Sequence, residues 1–466
     1  MLGSALNAHA ILKPSHSELR SASDLLRSLV QIDTSNPPGN ELKAVDLLAW
    51  HCSSVGFTPE IVGPDPNRPN LVVKLEADAK NRVHRPLVLS CHLDTVPADP
   101  ERWTHPPFSA HEEDGYIWGR GAIDMKGFAA MAFTAISLLG RNHLQLNRDV
   151  IFAAVADEEA GTALGSSWLV RERPDLLGND PEYVINEVGG FTVHHKGRRF
   201  YPVQVAEKGV AWLRLTAKGT PGYGSLPTSD SAVAILAEAI ASISRADLPW
   251  HPSREARVFM EGMAAPRRTV SRQFVRLLSH PFWGPRLLPL AISNPAHRAS
   301  VEAILRNTAN PIRFSSSQSI NVVPGESSVE IDGRLAPGQT AENLVNELQQ
   351  VITGSVRKKV AFEVIRESLP TSFSTDTPLF REIEQVIADR DPGGIVVPSI
   401  VPGFTDSHNY AALGATCYGF YPLQLPEGLE FASLFHGDDE RIPLKGFYWG
   451  ITTLLQLLTR FLTNDG

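Results

Sequence analysis

The stretch Val155–Thr162, "VADEEAGT", sets Asp157, Glu158 and Glu159 side by side directly after the apolar run "DVIFAA". Adjacent carboxylates repel and resist desolvation, so they are either bathed in water at a loop tip or held by a cation. Other ligand-type residues occupy comparable places. "LVLSCHLDTVP" ends in His92 and Asp94, two apart and so on one side of an extended chain. That spacing lets Asp94 hold the His92 ring, the arrangement that fixes a metal-bound imidazole's tautomer. In "GRGAIDMKG" the glycines allow a tight path to Asp124 at the mouth of a helix, where capping is the competing role. "YVINEVGG" ends a strand in Glu187, and "LFHGDDERI" supplies His436 just ahead of the last helix. Singly, such residues are usually solvated or capping. Together, at strand ends and helix starts, they point to a metal centre built from imidazole and carboxylate.

Ligands so scattered need a frame to gather them. The runs "NLVVKL", "PLVLSCHL", "DVIFAAVA" and "YVINEV", with the helical "DMKGFAAMAFTAISLLG" among them, imply an α/β fold, a largely buried sheet with helices on its faces. The same texture returns after residue 380, with "LFREIEQVIAD" and "GFYWGITTLLQLLTRFL" as helices and "GIVVPSI" and "ATCYGF" as strands. Between them "VAWLRLTAKG" and "SSVEIDGRLAP" alternate as half-buried strands. "SDSAVAILAEAIASIS" and "TAENLVNELQQVI" read as helices and "KKVAFEVI" as a strand. With "SQSINVVP" counted as a strand, the order is β-α-β-β-α-β. This predicts an inserted α+β domain at 209–368, interrupted by an Arg- and Pro-rich helical excursion at about 250–311, between flanking parts at 1–208 and 369–466.

At 466 residues the chain suggests two domains, and 42% hydrophobic with 20% charged residues is the balance of a globular protein. A formal charge of −8, from 43 basic and 51 acidic residues without a long basic block, argues against nucleic acid or an anionic membrane as partner. Cys52, Cys91 and Cys417 are too few and scattered for a disulfide framework, which suits a reducing compartment. No apolar stretch is long enough to span a bilayer, and "MLGSALNAHAILKPSH" lacks the form of a secretory signal, so a cytoplasmic location is expected. There is no Gly-x-Ser-x-Gly elbow, His-Glu-x-x-His helix or Gly-rich phosphate loop. His194 and His195 read as a polar turn, and His105 and His111 as a solvated loop.

The motifs "CHLDTVP", "GRGAIDMKG", "ADEEAGT", "INEVGG", "KGTPGYGSLP", "INVVPGESSVEIDGRLAPG", "GFTDSHNY" and "FHGDDERI" resemble, in order, those of the di-zinc aminoacylase and glutamate-carboxypeptidase family, which includes acetylornithine deacetylase. The resemblance spans nearly the whole chain. It implies a catalytic domain with a mixed, largely parallel sheet, split around a lid that also forms a homodimer interface. Position by position it implies that His92 and Glu187 hold one zinc, Glu159 and His436 the other, and Asp124 both. Cobalt or manganese are alternatives for such nitrogen and oxygen ligands. Glu158 would be the general base, and Asp157 a supporting or solvated residue. The implied reaction is hydrolysis of an amide in an N-acyl amino acid or small peptide by a water shared between two cations about 3.5–4 Å apart. A non-catalytic scaffold would require a damaged ligand or base, and all six positions are intact.

Two positions depart from the family's pattern. Tyr223 stands where the family usually has a histidine that reaches the partner's site, and His408 where it usually has an arginine gripping the substrate carboxylate. Arg334 and Asn321 remain from that binding set. A neutral imidazole cannot match a guanidinium's permanent charge and bidentate fork. Weakened carboxylate recognition, with neutral or bulky apolar amides as substrates, is therefore the alternative to Arg334 or another arginine taking over. The edge strand of the lid sheet, expected to be "VAWLRLTAKG", would pair the two lids of the dimer.

Overall fold

The structure, a computed structural model, describes residues 12–463 apart from 229, 265–269, 317–318 and 430–433. The chain forms two compact units, one of residues 1–205, 373–398 and 405–466, the other of residues 206–372 and 399–404.

The first unit is built on a mixed sheet whose spatial order runs Glu60–Val62, Asn70–Leu75, Val150–Val155, Leu87–His92, Tyr183–Asn186, Thr416–Gly419 and Arg198–Glu207. The four strands from Val150–Val155 to Thr416–Gly419 pair in parallel, and the outer pairings are antiparallel. Alternating side chains divide between two faces. Leu87, Leu89, Cys91, Val150, Phe152 and Ala154 join one apolar cluster, and Val88, Ile151, Ala153, Val155 and Val184 the other. Burial on both faces is why these strands read as continuous apolar runs.

Helices His16–Val30, Lys126–Arg141, Pro378–Arg390 and Leu444–Thr463 pack with the first cluster, and Ser166–Glu172 and Ser407–Ala411 contribute Leu169 and Tyr410 to the second. Lys126–Arg141 is buried from Lys126 to Leu139. Its small residues permit this, since a Cβ on Gly127 would meet the Tyr421 hydroxyl at 2.1 Å and the Ala122 carbonyl at 2.3 Å. Leu454 and Leu458 of the closing helix are wholly buried, each contributing about 1.5–3 kcal/mol. Among the described residues no helix is long and apolar enough to cross a membrane.

The second unit holds an antiparallel sheet in the order Thr308–Ser315, Glu326–Leu335, Gly209–Lys218, Val360–Ser368. Helices Ala232–Ser244 and Ala341–Val351 cover one face through Leu236, Ala239, Leu344 and Leu348. Ser231 and Thr340 cap them. Two strand expectations are corrected. "VAWLRLTAKG" is not an edge but pairs on both sides, because alternation reports which faces are buried and says nothing about neighbours in the sheet. The second strand of the β-α-β-β-α-β order is Thr308–Ser315, at the end of the expected excursion, whereas "SQSINVVP" yields only the two-residue pairing of Val322–Val323 with Gly222–Tyr223. Pro311 hid the strand; it sits beside a register shift on an edge, where its missing N–H is tolerated.

The excursion folds into helices Arg254–Ala264, Val270–Leu278, Gly284–Ala291 and Pro295–Leu305, with Trp250, Met260, Leu288 and Leu305 in a small core of their own. Lys208, 1% exposed, caps the last of them, its Nζ donating to the carbonyls of Ala303 and Arg306, each at 2.8 Å. Burial, followed by the charges of Arg334 and Arg306, pushes its pKa down to about 7. Between that value and the ordinary lysine range the unfolded chain binds more protons than the folded one, so this group adds stability as pH rises through the window. Lys208→Met should accordingly flatten the rise in denaturation midpoint between about pH 7 and 10; an unchanged slope would show that Lys208 stays charged in the fold.

Candidate metal centre

Three parallel neighbours end together. Val155 lies opposite His92, and Leu89 opposite Ile185, so the residues after Val155, His92 and Asn186 emerge side by side, at a strand spacing of about 4.8 Å. These are Asp157–Glu159, Asp94 and Glu187. Asp124 approaches from just ahead of helix Lys126–Arg141, and His436 from the segment before Leu444–Thr463. Open α/β sheets place ligands beyond such strand ends.

The side chains converge on Asp124, 4% exposed. Its Oδ1 lies 3.1 Å from His92 Nε2 and its Oδ2 3.1 Å from His436 Nε2. Glu187 is 3.5 Å from the same His92 nitrogen, and Glu159 3.1 Å from the same His436 nitrogen. Two triads result, His92–Asp124–Glu187 and Asp124–Glu159–His436, each with one donor atom per residue within 4.8 Å of the others. Asp124 belongs to both. The Glu159 Oε1 is buried without a hydrogen-bond partner among the described residues, and the Asp124 Oδ2 faces only the His436 imidazole. Stranded carboxylate oxygens are costly unless a cation meets them, and this donor set of nitrogen and oxygen suits zinc or a similar divalent ion.

The charge balance points the same way. Arg68 pairs with Glu41 at 2.6 Å and Asp157 at 3.0 Å, and Arg120 with Glu440 at 2.7 Å. Those cations are thereby engaged. Burial raises the Glu158 pKa well above the carboxylate range, with Glu187's charge adding to it, and burial brings Glu187 itself up to about 7. Burial followed by Asp124's charge raises Glu159. Burial opposes the charged imidazole of His436, yet Asp124 and Glu159 outweigh it and lift its pKa to about 10. Glu158, Glu159, Glu187 and His436 thus shift so as to gather protons. Burial pushes Asp124 the same way, yet the hydrogen bonds of His436 and His92 outweigh it and hold that carboxylate well below the usual range.

Asp94 organises the strand ends, though not as its spacing suggested. His92 Nδ1 lies 3.0 Å from the main-chain carbonyl of Asp94, while the carboxylate is 3.6 Å away. That carboxylate accepts the N–H groups of Glu158 and Glu159, each at 3.1 Å, and the Asn36 amide at 2.8 Å. Asp157 is buried and supporting, accepting from Arg68 and from the Leu164 N–H. Asp157, Val188 and His436 all have positive φ, at 65°, 57° and 58°. Such backbone costs about 1–3 kcal/mol per residue and clusters at functional sites.

Several supporting residues went unnoticed in motifs already quoted. Glu440 accepts the N–H groups of Gly121, Ile123 and Asp124, holding the loop that carries Asp124. Asp406, with its pKa pushed up to about 6 by burial, is bonded by Ser166. A buried acid cannot be told from a solvated one by its type. His408 Nδ1 donates to the Thr405 carbonyl at 2.6 Å. Tyr223, Asn321 and Arg334 belong to the second unit. There Tyr223, 63% exposed, and Asn321 adjoin through the bond from the Gly224 N–H to the Asn321 carbonyl, and Arg334 donates to Asp332 at 2.9 Å. His194 and His195 lie in strand Val193–His195, not in a turn.

Fold and centre together define a metal-dependent hydrolase. Residues 88–460 match the profile of Peptidase family M20/M25/M40, and the chain belongs to that family. Probable carboxypeptidase S-like 2 of Dictyostelium discoideum is 28% identical over 371 residues, covering 78% of this chain and 69% of that protein. N-fatty-acyl-amino acid synthase/hydrolase PM20D1 of Bos taurus is 27% identical over 396 residues, covering 82% and 74%. The M20 family metallo-carboxypeptidase Sso-CP2 from Sulfolobus solfataricus shares the fold, with a TM-score of 0.65 at 19% identity over 96% of this chain and 99% of that one.

Proposed function

We propose that the protein hydrolyses the amide bond of an N-acyl amino acid, a small peptide or a related amide, with two zinc ions as cofactor. The observation that carries this reading is the sharing of Asp124 between two imidazole–carboxylate triads. His92 and Glu187 would hold one ion, Glu159 and His436 the other, with Asp124 common to both. Bound there, the ions supply Lewis acidity to the scissile carbonyl and the attacking water. The remaining work falls to the chain. Glu158, 8% exposed and outside both triads, takes the water's proton on its carboxylate and returns it to the leaving amine nitrogen. Asp94 holds the His92 ring through its carbonyl and both neighbouring glutamates through their N–H groups. The names of the two sequence relatives, one a carboxypeptidase and one an acyl-amino-acid hydrolase, support this substrate class.

One observation favours a second reading, that carboxylate recognition is weakened. Arg334 is engaged by Asp332 and lies over the Phe404 ring at 5.3 Å, so one arginine that could take over carboxylate binding is already paired. His408 offers no permanent charge in its place.

The lid is also proposed to pair with its counterpart in a homodimer. Of the two sheet edges, Val360–Ser368 lacks proline and exposes Val364 and Ile365, which suits pairing with a second chain. The three buried thiols fit a cytoplasmic location, which cell fractionation would test.

Glu158→Gln should keep two equivalents of zinc by elemental analysis and lose about 10²–10⁴-fold in kcat; normal turnover would remove Glu158 from the role of base. For substrate choice, kcat/KM on an N-acyl amino acid and on its carboxamide should be similar. A loss of about 10⁴-fold on the carboxamide would instead show that a buried cation demands the carboxylate. Val364→Lys should convert a dimer to a monomer by light scattering, and a wild-type monomer would refute the pairing.

A further inference from the structure

We propose that His105, His111 and Glu113 form an additional divalent-cation site of the zinc class, distinct from the centre on Asp124. One donor atom from each lies within 4.8 Å of the others. Tetrahedral zinc with ligands at about 2.0–2.2 Å sets its donors roughly 3.4 Å apart, a spacing reached once the exposed His111 ring turns out of its stack on His105 to aim a nitrogen at the same point. His105 Nε2 is 3.0 Å from Glu113 Oε2, and the two imidazole rings stack at 4.0 Å between centroids. An ion pair on a surface needs only the first of these contacts. The second imidazole, brought against the first, makes it a three-donor set of the composition zinc selects, with water completing the coordination.

The local structure is suited to hold it. His111–Glu113 and Tyr116–Trp118 form a hairpin turning at Asp114 and Gly115, whose φ values of 51° and 80° fit the tight Asp-Gly turn. His111 and Glu113, two apart on a strand, project to one face. His105 enters from the preceding loop, its ring edge-on to Trp118 at 5.1 Å, and is followed by Pro106 and Pro107, which restrict the backbone. The nearby cation, Arg441, lies over the Trp118 ring at 4.4 Å and donates to the Asp439 carbonyl, so its charge is directed elsewhere. Glu113 is half exposed at its side chain, leaving the site open to ions in solution.

Position gives the site a consequence. Thr104 donates from N and Oγ1 to Asp439 at 2.7 and 2.8 Å, and the Gly119 N–H donates to the Glu440 carbonyl. The segment carrying the three donors is thus tied at both ends to the loop of His436 and Glu440. An ion bridging His105 to the hairpin fastens the frame on which that loop rests.

The test compares wild type with the His105→Gln/His111→Gln double variant, both dialysed against micromolar free zinc and assayed by elemental analysis. Wild type is expected to retain one more zinc per chain than the variant. Because the segment is tied to the loop of His436, the same comparison is repeated in an Asp124→Asn background, where the lost equivalent cannot come from the Asp124 centre. Glu113→Gln should weaken the extra equivalent about tenfold or more. Should the double variant misfold, His111→Gln alone, at an exposed position, gives the same comparison. Equal zinc content in wild type and variants overturns the site.

Discussion

Uncompensated negative charge at the carboxyl end of the sheet is the constraint on which the rest of the first unit depends. Asp94, Asp124, Glu158, Glu187 and Asp406 are all nearly inaccessible to solvent, and burying carboxylates without partners costs several kcal/mol apiece. The chain meets part of the demand itself. Arg68 and Arg120 serve the outlying acids, Lys126 is buried close by, and main-chain N–H groups serve Asp94 and Glu440. What is left uncovered is the ring of oxygens around Asp124. A sheet with apolar clusters on both faces and a helix buried from Lys126 to Leu139 carry the segments that bring that ring together.

Such an arrangement explains why so much of the site was readable in advance. Strand-end acids and imidazoles stand out because the strands beneath them are nearly unbroken apolar runs, and several such residues in one chain have few ordinary reasons to recur there together. His92, Glu159 and Glu187 stood out for this reason, Asp124 and His436 by their places ahead of helices and by the family resemblance, and the structure brings the five together. The supporting acids were harder to see. Glu440 and Asp406 act through contacts with residues hundreds of positions away, and no local pattern separates a charge that bonds three amides from one that faces water. Likewise Asp94 proved to hold His92 with its main chain, which every residue possesses.

The second unit was less legible than the first for a related reason. Period-two alternation found strand Gly209–Lys218 but could not say that it lies at the centre of its sheet, since hydropathy records faces and not lateral neighbours. Thr308–Ser315 was obscured because edge strands tolerate proline and arginine that interior strands reject. The helical excursion, though Arg-rich in sequence, has its own small apolar core around Trp250 and Leu288.

The order of strands also bears on how the protein is made. Thr416–Gly419 lies between Tyr183–Asn186 and Arg198–Glu207, so the emerging chain has a gap in its sheet until the whole intervening stretch has been synthesised. At roughly 5–20 residues per second that interval lasts tens of seconds. Throughout it the parallel strands expose unpaired edges and the apolar surface later covered by Leu444–Thr463. Nascent chains in this state are open to aggregation. That exposure is set by topology and is independent of how stable the finished fold becomes.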